Sequence, residues 1–206
     1  MRHNKTNGVA AFAAMLWIFA LLLAPIAAQA QTSVSVSAFA QLQAAISGYN
    51  TATGDMFINV TEAFPITSGL TIPWNAAGAA LTIKSADAAN PVTLWRGFES
   101  TDTNNGLFTV NNGAKLVLED IIIDGNKDVY PDNKGSLVYV GGGTFTMNGG
   151  VISGNTASAG GVYVVGSNST FTMNGGEISG NTADLGGGVY VVIRQSVTKW
   201  KFVVYE

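Results

Sequence analysis

No cysteine occurs in the chain, and the single histidine is His3. Without cysteine there are no disulfides, no thiolate metal sites and no thiol nucleophile. His3 lies in a stretch expected to be cleaved, so the mature protein is expected to have no imidazole. A Ser-His-Asp triad and an ordinary zinc site are then excluded. Charge is scarce too: Asp, Glu, Lys and Arg make up 11% of the 206 residues, against about 25% in a typical soluble domain. Helices with charged outer faces are hard to build from such a composition. Glycine, at 25 residues, and plentiful Ser, Thr and Asn instead fit short strands joined by many turns.

Residues 1–30 read as a secretory signal. Arg2 and Lys5 supply the positive start, residues 9–28 are uncharged and mostly apolar, and Pro25 breaks the run. Ala28-Gln29-Ala30 then fits the small-x-small cleavage rule. The rival reading is an uncleaved membrane anchor, because the run approaches the length that spans a bilayer. Cleavage leaves Gln31 to Glu206, and loss of Arg2 and Lys5 takes the formal charge from −3 to −5. A mildly acidic chain without a basic patch is not expected to bind nucleic acid.

The dominant pattern is an internal repeat. Residues 144–156 read TFTMNGGVISGNT and residues 170–182 read TFTMNGGEISGNT, differing only at Val151 and Glu177. Gly160-Gly161-Val162-Tyr163 follows the first copy and Gly187-Gly188-Val189-Tyr190 the second. A weaker upstream copy aligns Leu116-Val117-Leu118 with Phe145-Thr146-Met147, and Ile123-Asp124-Gly125-Asn126 with Ile152-Ser153-Gly154-Asn155. Further apolar runs at 57–60, 70–72, 81–83 and 92–94 are separated by Gly, Pro, Asn or Asp.

A repeat of about 26 residues with three short strands (GVYV, TFTM and VIS or EIS) cannot bury its apolar side chains alone. Stacked coils solve this, because each strand pairs with its equivalent about 4.8 Å away. The expected fold is therefore all-β: a right-handed single-stranded parallel β-helix, or β-solenoid, over residues 51–192. Residues 31–50 are expected to cap it with a short amphipathic helix. Ser37 is the expected cap, Phe39, Leu42 and Ile46 the apolar face, and Gly48 the end. Residues 193–206 read as either a degenerate last coil or a truncation. Alternation points Phe145, Met147, Phe171 and Met173 inward and the intervening threonines outward. Val151 and Glu177, differing at one repeat position, mark an outward site. No series of barrel-length strands follows, so no transmembrane barrel is expected in this chain.

Ile152-Ser153-Gly154-Asn155-Thr156-Ala157 followed by Gly160-Gly161-Val162-Tyr163 resembles the repeats of bacterial polymorphic outer-membrane and adhesin-like proteins. Their signature pairs Phe-x-x-Asn with Gly-Gly-Ala-Ile. Here Ile152 and Ile178 stand for the Phe, and Val162 and Val189 for the Ala. LVLEDIIIDGN, residues 116–126, resembles an early coil of pectate-lyase-like β-helix proteins. The resemblance covers about residues 37–192. It implies a right-handed β-helix that is secreted or associated with the bacterial outer membrane and cell surface, with glycans or host or bacterial surface proteins as partners.

Several positions invite a functional reading beside a structural one. Tyr139, Tyr163 and Tyr190 share a repeat position, with Thr109 one coil earlier. They read as a glycan-binding aromatic strip or as a cross-strand stack that stabilises the sheet. Asp124, Asn126 and Asp128 open like a calcium loop. Val129 then replaces the required Gly, and Gly135 the bidentate Glu. The leading reading is a solvated acidic loop with no cofactor, and calcium is the alternative. Asn126, Asn155 and Asn181 read as turn residues whose amides bond coil to coil. Asn148-Gly149 and Asn174-Gly175 also read as turns. Thr144, Thr146, Thr170 and Thr172 read as ordinary outer-strand threonines.

An adhesin-like, non-catalytic binding or structural role is the leading expectation. The enzyme alternative is a polysaccharide lyase or glycoside hydrolase. Glu119, Asp120 and Asp124 would be its acids, Arg96 or Lys127 its base, and the loop at 126–135 one wall of a cleft. The third class is a rigid spacer of the cell envelope.

Overall fold

The computed structural model describes residues 31–192. The expected signal at 1–30, with His3, and the segment at 193–206 lie outside the described residues. The short apolar runs become strands, and every ladder between strands is parallel. The result is a β-solenoid of about 6 turns.

Three faces run along its axis. The first stacks β1 (Thr32–Val36), β2 (Met56–Val60), β5 (Leu81–Ser85), β8 (Lys115–Glu119) and the opening halves of β11 (Thr144–Ser153) and β14 (Thr170–Ser179). The second stacks β3 (Phe64–Ile66), β6 (Thr93–Arg96), β9 (Ile122–Asp124) and the closing halves of β11 and β14. The third stacks β4 (Leu70–Ile72), β7 (Gly106–Asn111), β10 (Ser136–Gly141), β13 (Val162–Val165) and β16 (Val189–Val192).

Identical rungs place like side chains over one another. Leu81, Leu116, Phe145 and Phe171 form one inward column, and Ile83, Leu118, Met147 and Met173 the next. The Phe145 and Phe171 rings stack with centroids 5.2 Å apart and planes 11° apart. Leu94, Ile123, Ile152 and Ile178 make the column of the second face. Each buried Leu, Ile or Phe contributes roughly 1.5–3 kcal/mol, and these columns supply the core.

The repeat differs from its expected form at the corner between the first two faces. TFTM and VIS are not separate strands: β11 and β14 each run for ten residues through the Asn-Gly-Gly segment. Asn148 and Asn174 therefore sit within a bent strand, and a register irregularity marks the bend. Gly150, at φ 84°, makes it, and a Cβ there would collide with the Ile121 backbone. One coil earlier the corner is made by Asp120, at φ 48°, and the strand is broken into β8 and β9. A further pair, β12 (Thr156–Ala159) with β15 (Thr182–Leu185), was not visible in the hydrophobic pattern, since TASA and TADL hold little apolar surface.

At the first end, β1 pairs with β2, so the ladder begins at Thr32, inside the segment expected only to cap. Helix α1 (Phe39–Gly48) follows and buries Leu42 and Ile46. Its N-cap is Ala38 and not Ser37, with no side-chain cap bond. Instead Gln41 Oε1 accepts from the Ser37 backbone N–H at 2.8 Å, reaching back across the first turn. Gly48 does not stop the chain's winding, because a short 3-10 turn at Tyr49–Thr51 continues it. The Tyr49 hydroxyl donates to the Ala79 carbonyl, tying this cap to the coil beyond.

Candidate functional site

The third face carries the tyrosines. Val138 and Val140 are buried in β10, so alternation turns Tyr139 outward, and the register repeats this through Tyr163 of β13 and Tyr190 of β16. Thr71 and Thr109 continue the column toward the first end. Ring centroids of Tyr139 and Tyr163 lie 5.5 Å apart with planes at 71°. Tyr163 and Tyr190 are also 5.5 Å apart, but with planes at 26°. Rings stacked this way along the solenoid turn part of their faces to one another, which serves the sheet. Partial burial raises the Tyr139 hydroxyl above its ordinary pKa, and the neighbouring Tyr163 and Asp102 push the same way.

Asp102 belongs to the loop between β6 and β7, which the residue pattern had not marked. It accepts from the Asn104 backbone N–H at 2.9 Å and the Asn105 side chain at 2.9 Å, a self-contained turn beside Tyr139. Nothing in a run of Ser, Thr, Asp and Asn distinguishes this loop from any other connection. Trp74, 59% exposed, stands over Gly113 at another loop.

The calcium-like residues occupy the turn after β9. Asp124 Oδ1 accepts from the Asn126 N–H at 2.7 Å. The Asn126 side chain donates inward to the Arg96 carbonyl at 3.2 Å, while Asp128 is exposed. The Asn126 amide nitrogen is thus engaged with the preceding coil. Among the described residues no three His, Cys, Asp or Glu side chains converge on a point.

The three aligned asparagines divide. Only Asn126 takes the left-handed conformation, at φ 51°; in the later coils Gly154 and Gly180 take it instead. Each of their amides bonds from coil to coil with a backbone group. Asn181 Oδ1 accepts from the Asn155 N–H at 3.0 Å, and Asn181 Nδ2 donates to the Ile152 carbonyl at 3.0 Å.

Of the residues an enzyme would use, Arg96 is in the interior and 0% exposed, so it faces no cleft. Its position in β6 follows Leu94 by two, which sets it on the buried side. Glu119 is held by Lys84 at 3.0 Å, and Lys127 donates to the Gly180 carbonyl at 2.8 Å. The loop at 126–135 has a neighbour, the loop at 97–105, and the two are hydrogen-bonded to each other. The Lys134 N–H donates to the Ser100 carbonyl at 2.7 Å, and Asn133 Oδ1 accepts from the Ser100 N–H at 2.9 Å. No family model, curated protein or solved structure matches this chain.

Proposed function

We propose that this is an exported, non-catalytic surface protein: a stiff rod whose third face binds extended glycans along its axis. The observation that carries this reading is the outward column of Tyr139, Tyr163 and Tyr190, one aromatic on each of three successive coils in strict register. It presents ring edges and hydroxyls at the spacing of the coils, so successive units of an extended polymer meet equivalent groups. The reading of residues 1–30 as a signal supports export. The likeness of the Ile-Ser-Gly-Asn-Thr and Gly-Gly-Val-Tyr elements to adhesin-like outer-membrane repeats supports a place on the bacterial surface. The burial of Arg96 and the packed loops favour binding over lyase or hydrolase chemistry.

The test is a glycan array probed with the parent protein and with Tyr163→Ala, the ring flanked on both sides. Binding by the parent that falls at least tenfold in the variant, with the variant's fold intact by circular dichroism, is the expected result. A parent that binds no glycan, or a variant that binds as well, overturns the ladder as a binding face and leaves the rod as a spacer.

A further inference from the structure

The packed loops at 97–105 and 126–135 roof an interior layer that is polar. Arg96, Asn133, Ser136 and Asn155 are all buried there. Arg96 stands above Ile66 of the preceding coil, and its Nη2 donates to the carbonyls of Gly135 at 3.2 Å and Ser136 at 2.9 Å. Nε and Nη1 are buried as well and have no acceptor among the described residues. Phe98 covers one face of the guanidinium, with Cζ 5.3 Å from the ring centroid.

The backbone and amide oxygens nearest this group already accept bonds, and the Tyr130 side chain lies close enough to favour its charged form. The Gly135 carbonyl also accepts from Asn133 Nδ2 at 2.7 Å and Asn155 Nδ2 at 3.0 Å. Asn155 Oδ1 takes a longer bond from Asn133 Nδ2 at 3.4 Å, and Asn133 Oδ1 is taken by Ser100. Burial lowers the guanidinium pKa to about 10, which still leaves it charged at neutral pH. A full positive charge with spare donors is therefore held in the interior, with no carboxylate bonded to it among the described residues. Buried charges are ordinarily paired. A water molecule could accept from these N–H groups but would leave the charge unbalanced. An anion accepts from them and cancels the charge.

We propose that Arg96 holds one small inorganic anion, of chloride size, inside the solenoid beneath the two loops. The anion meets the free N–H groups of the guanidinium and balances its charge, locking the loops to the coils below. Such a ligand binds the folded chain alone. Each tenfold rise in its concentration above the dissociation constant should therefore raise the folded-to-unfolded ratio about tenfold.

The experiment uses the full chain at constant ionic strength, with sodium chloride or bromide exchanged against gluconate, which is too large to enter. The melting temperature should rise with halide and not with gluconate. Crystals soaked in bromide should show an anomalous peak within hydrogen-bond distance of an Arg96 nitrogen. Arg96→Met, which keeps the length and removes the charge, should lose the halide dependence. If that variant does not fold, the two measurements on the parent decide the matter. Equal melting in all three salts, or ordinary water with no anomalous peak at the guanidinium, overturns the proposal.

Discussion

Strands β11 and β14 share nine of their ten residues and pair directly, yet their surroundings differ. Phe145, Met147 and Ile152 of β11 are buried, whereas Phe171, Met173 and Ile178 of β14 are half-buried. β11 has β8 and β9 on one side and β14 on the other; β14 is paired with β11 alone among the described residues. The same gradient shows on the third face, where Val162 is 0% exposed and its equivalent Val189 is 38% exposed. In a stacked fold, burial belongs to the pair of neighbours a rung has, not to the rung's own residues. The first end shows the complement: there α1 lies over the opening coils and buries Leu42 and Ile46.

Truncating the paired phenylalanines tests this difference most directly. Phe145→Ala should cost about 3–5 kcal/mol, as for a buried aromatic, and Phe171→Ala roughly half as much, since it has less surface to lose. Denaturant titration of both variants provides the comparison, and equal losses would break it. The next test moves from apolar to polar groups. Asn155→Ala removes the buried bond to Gly135 and should cost about 1–3 kcal/mol. Asn181→Ala strips the Asn155 N–H of its acceptor at a half-buried site and should cost about 1 kcal/mol. Equal effects, read from thermal melts, would mean the last coil is as enclosed as the one before. The smallest effect belongs to the outer face. The Lys84–Glu119 pair, at 3.0 Å and about one third exposed on each side, should contribute at most about 1 kcal/mol and fade in high salt. A double-mutant cycle giving a larger, salt-independent coupling would show that the outer ladder matters as much as the inner one.

Much of the architecture could be read directly from the residues. Near-identity of TFTMNGGVISGNT and TFTMNGGEISGNT marks them as equivalent units of a repeat, and stacking is the arrangement that pairs every such strand with its counterpart. The period-2 alternation of Phe145 and Met147 with Thr144 and Thr146 then set inside from outside. Where the alternation is absent, no local pattern marks a strand. TASA and TADL have too little apolar surface to announce β12 and β15. The bend at Asn148-Gly149-Gly150 looks like a turn in sequence, because glycine favours turns and strand corners alike. The candidate site was legible only as a column of tyrosines. Neither the Asp102 loop beside it nor the ring-on-ring stacking has a local signature.

Arg96 shows the boundary most clearly. By itself the chain determined that successive coils stack, which residues line the core columns, and that Tyr139, Tyr163 and Tyr190 share one face. These follow from a repeat period and an alternation, both local properties of the chain. Only the tertiary structure decided that a charged residue two positions after Leu94 ends inside, under loops from two different coils. Its environment is built by Gly135, Ser136, Asn133 and Asn155, 37 or more positions away. No local pattern encodes a meeting of residues that far apart.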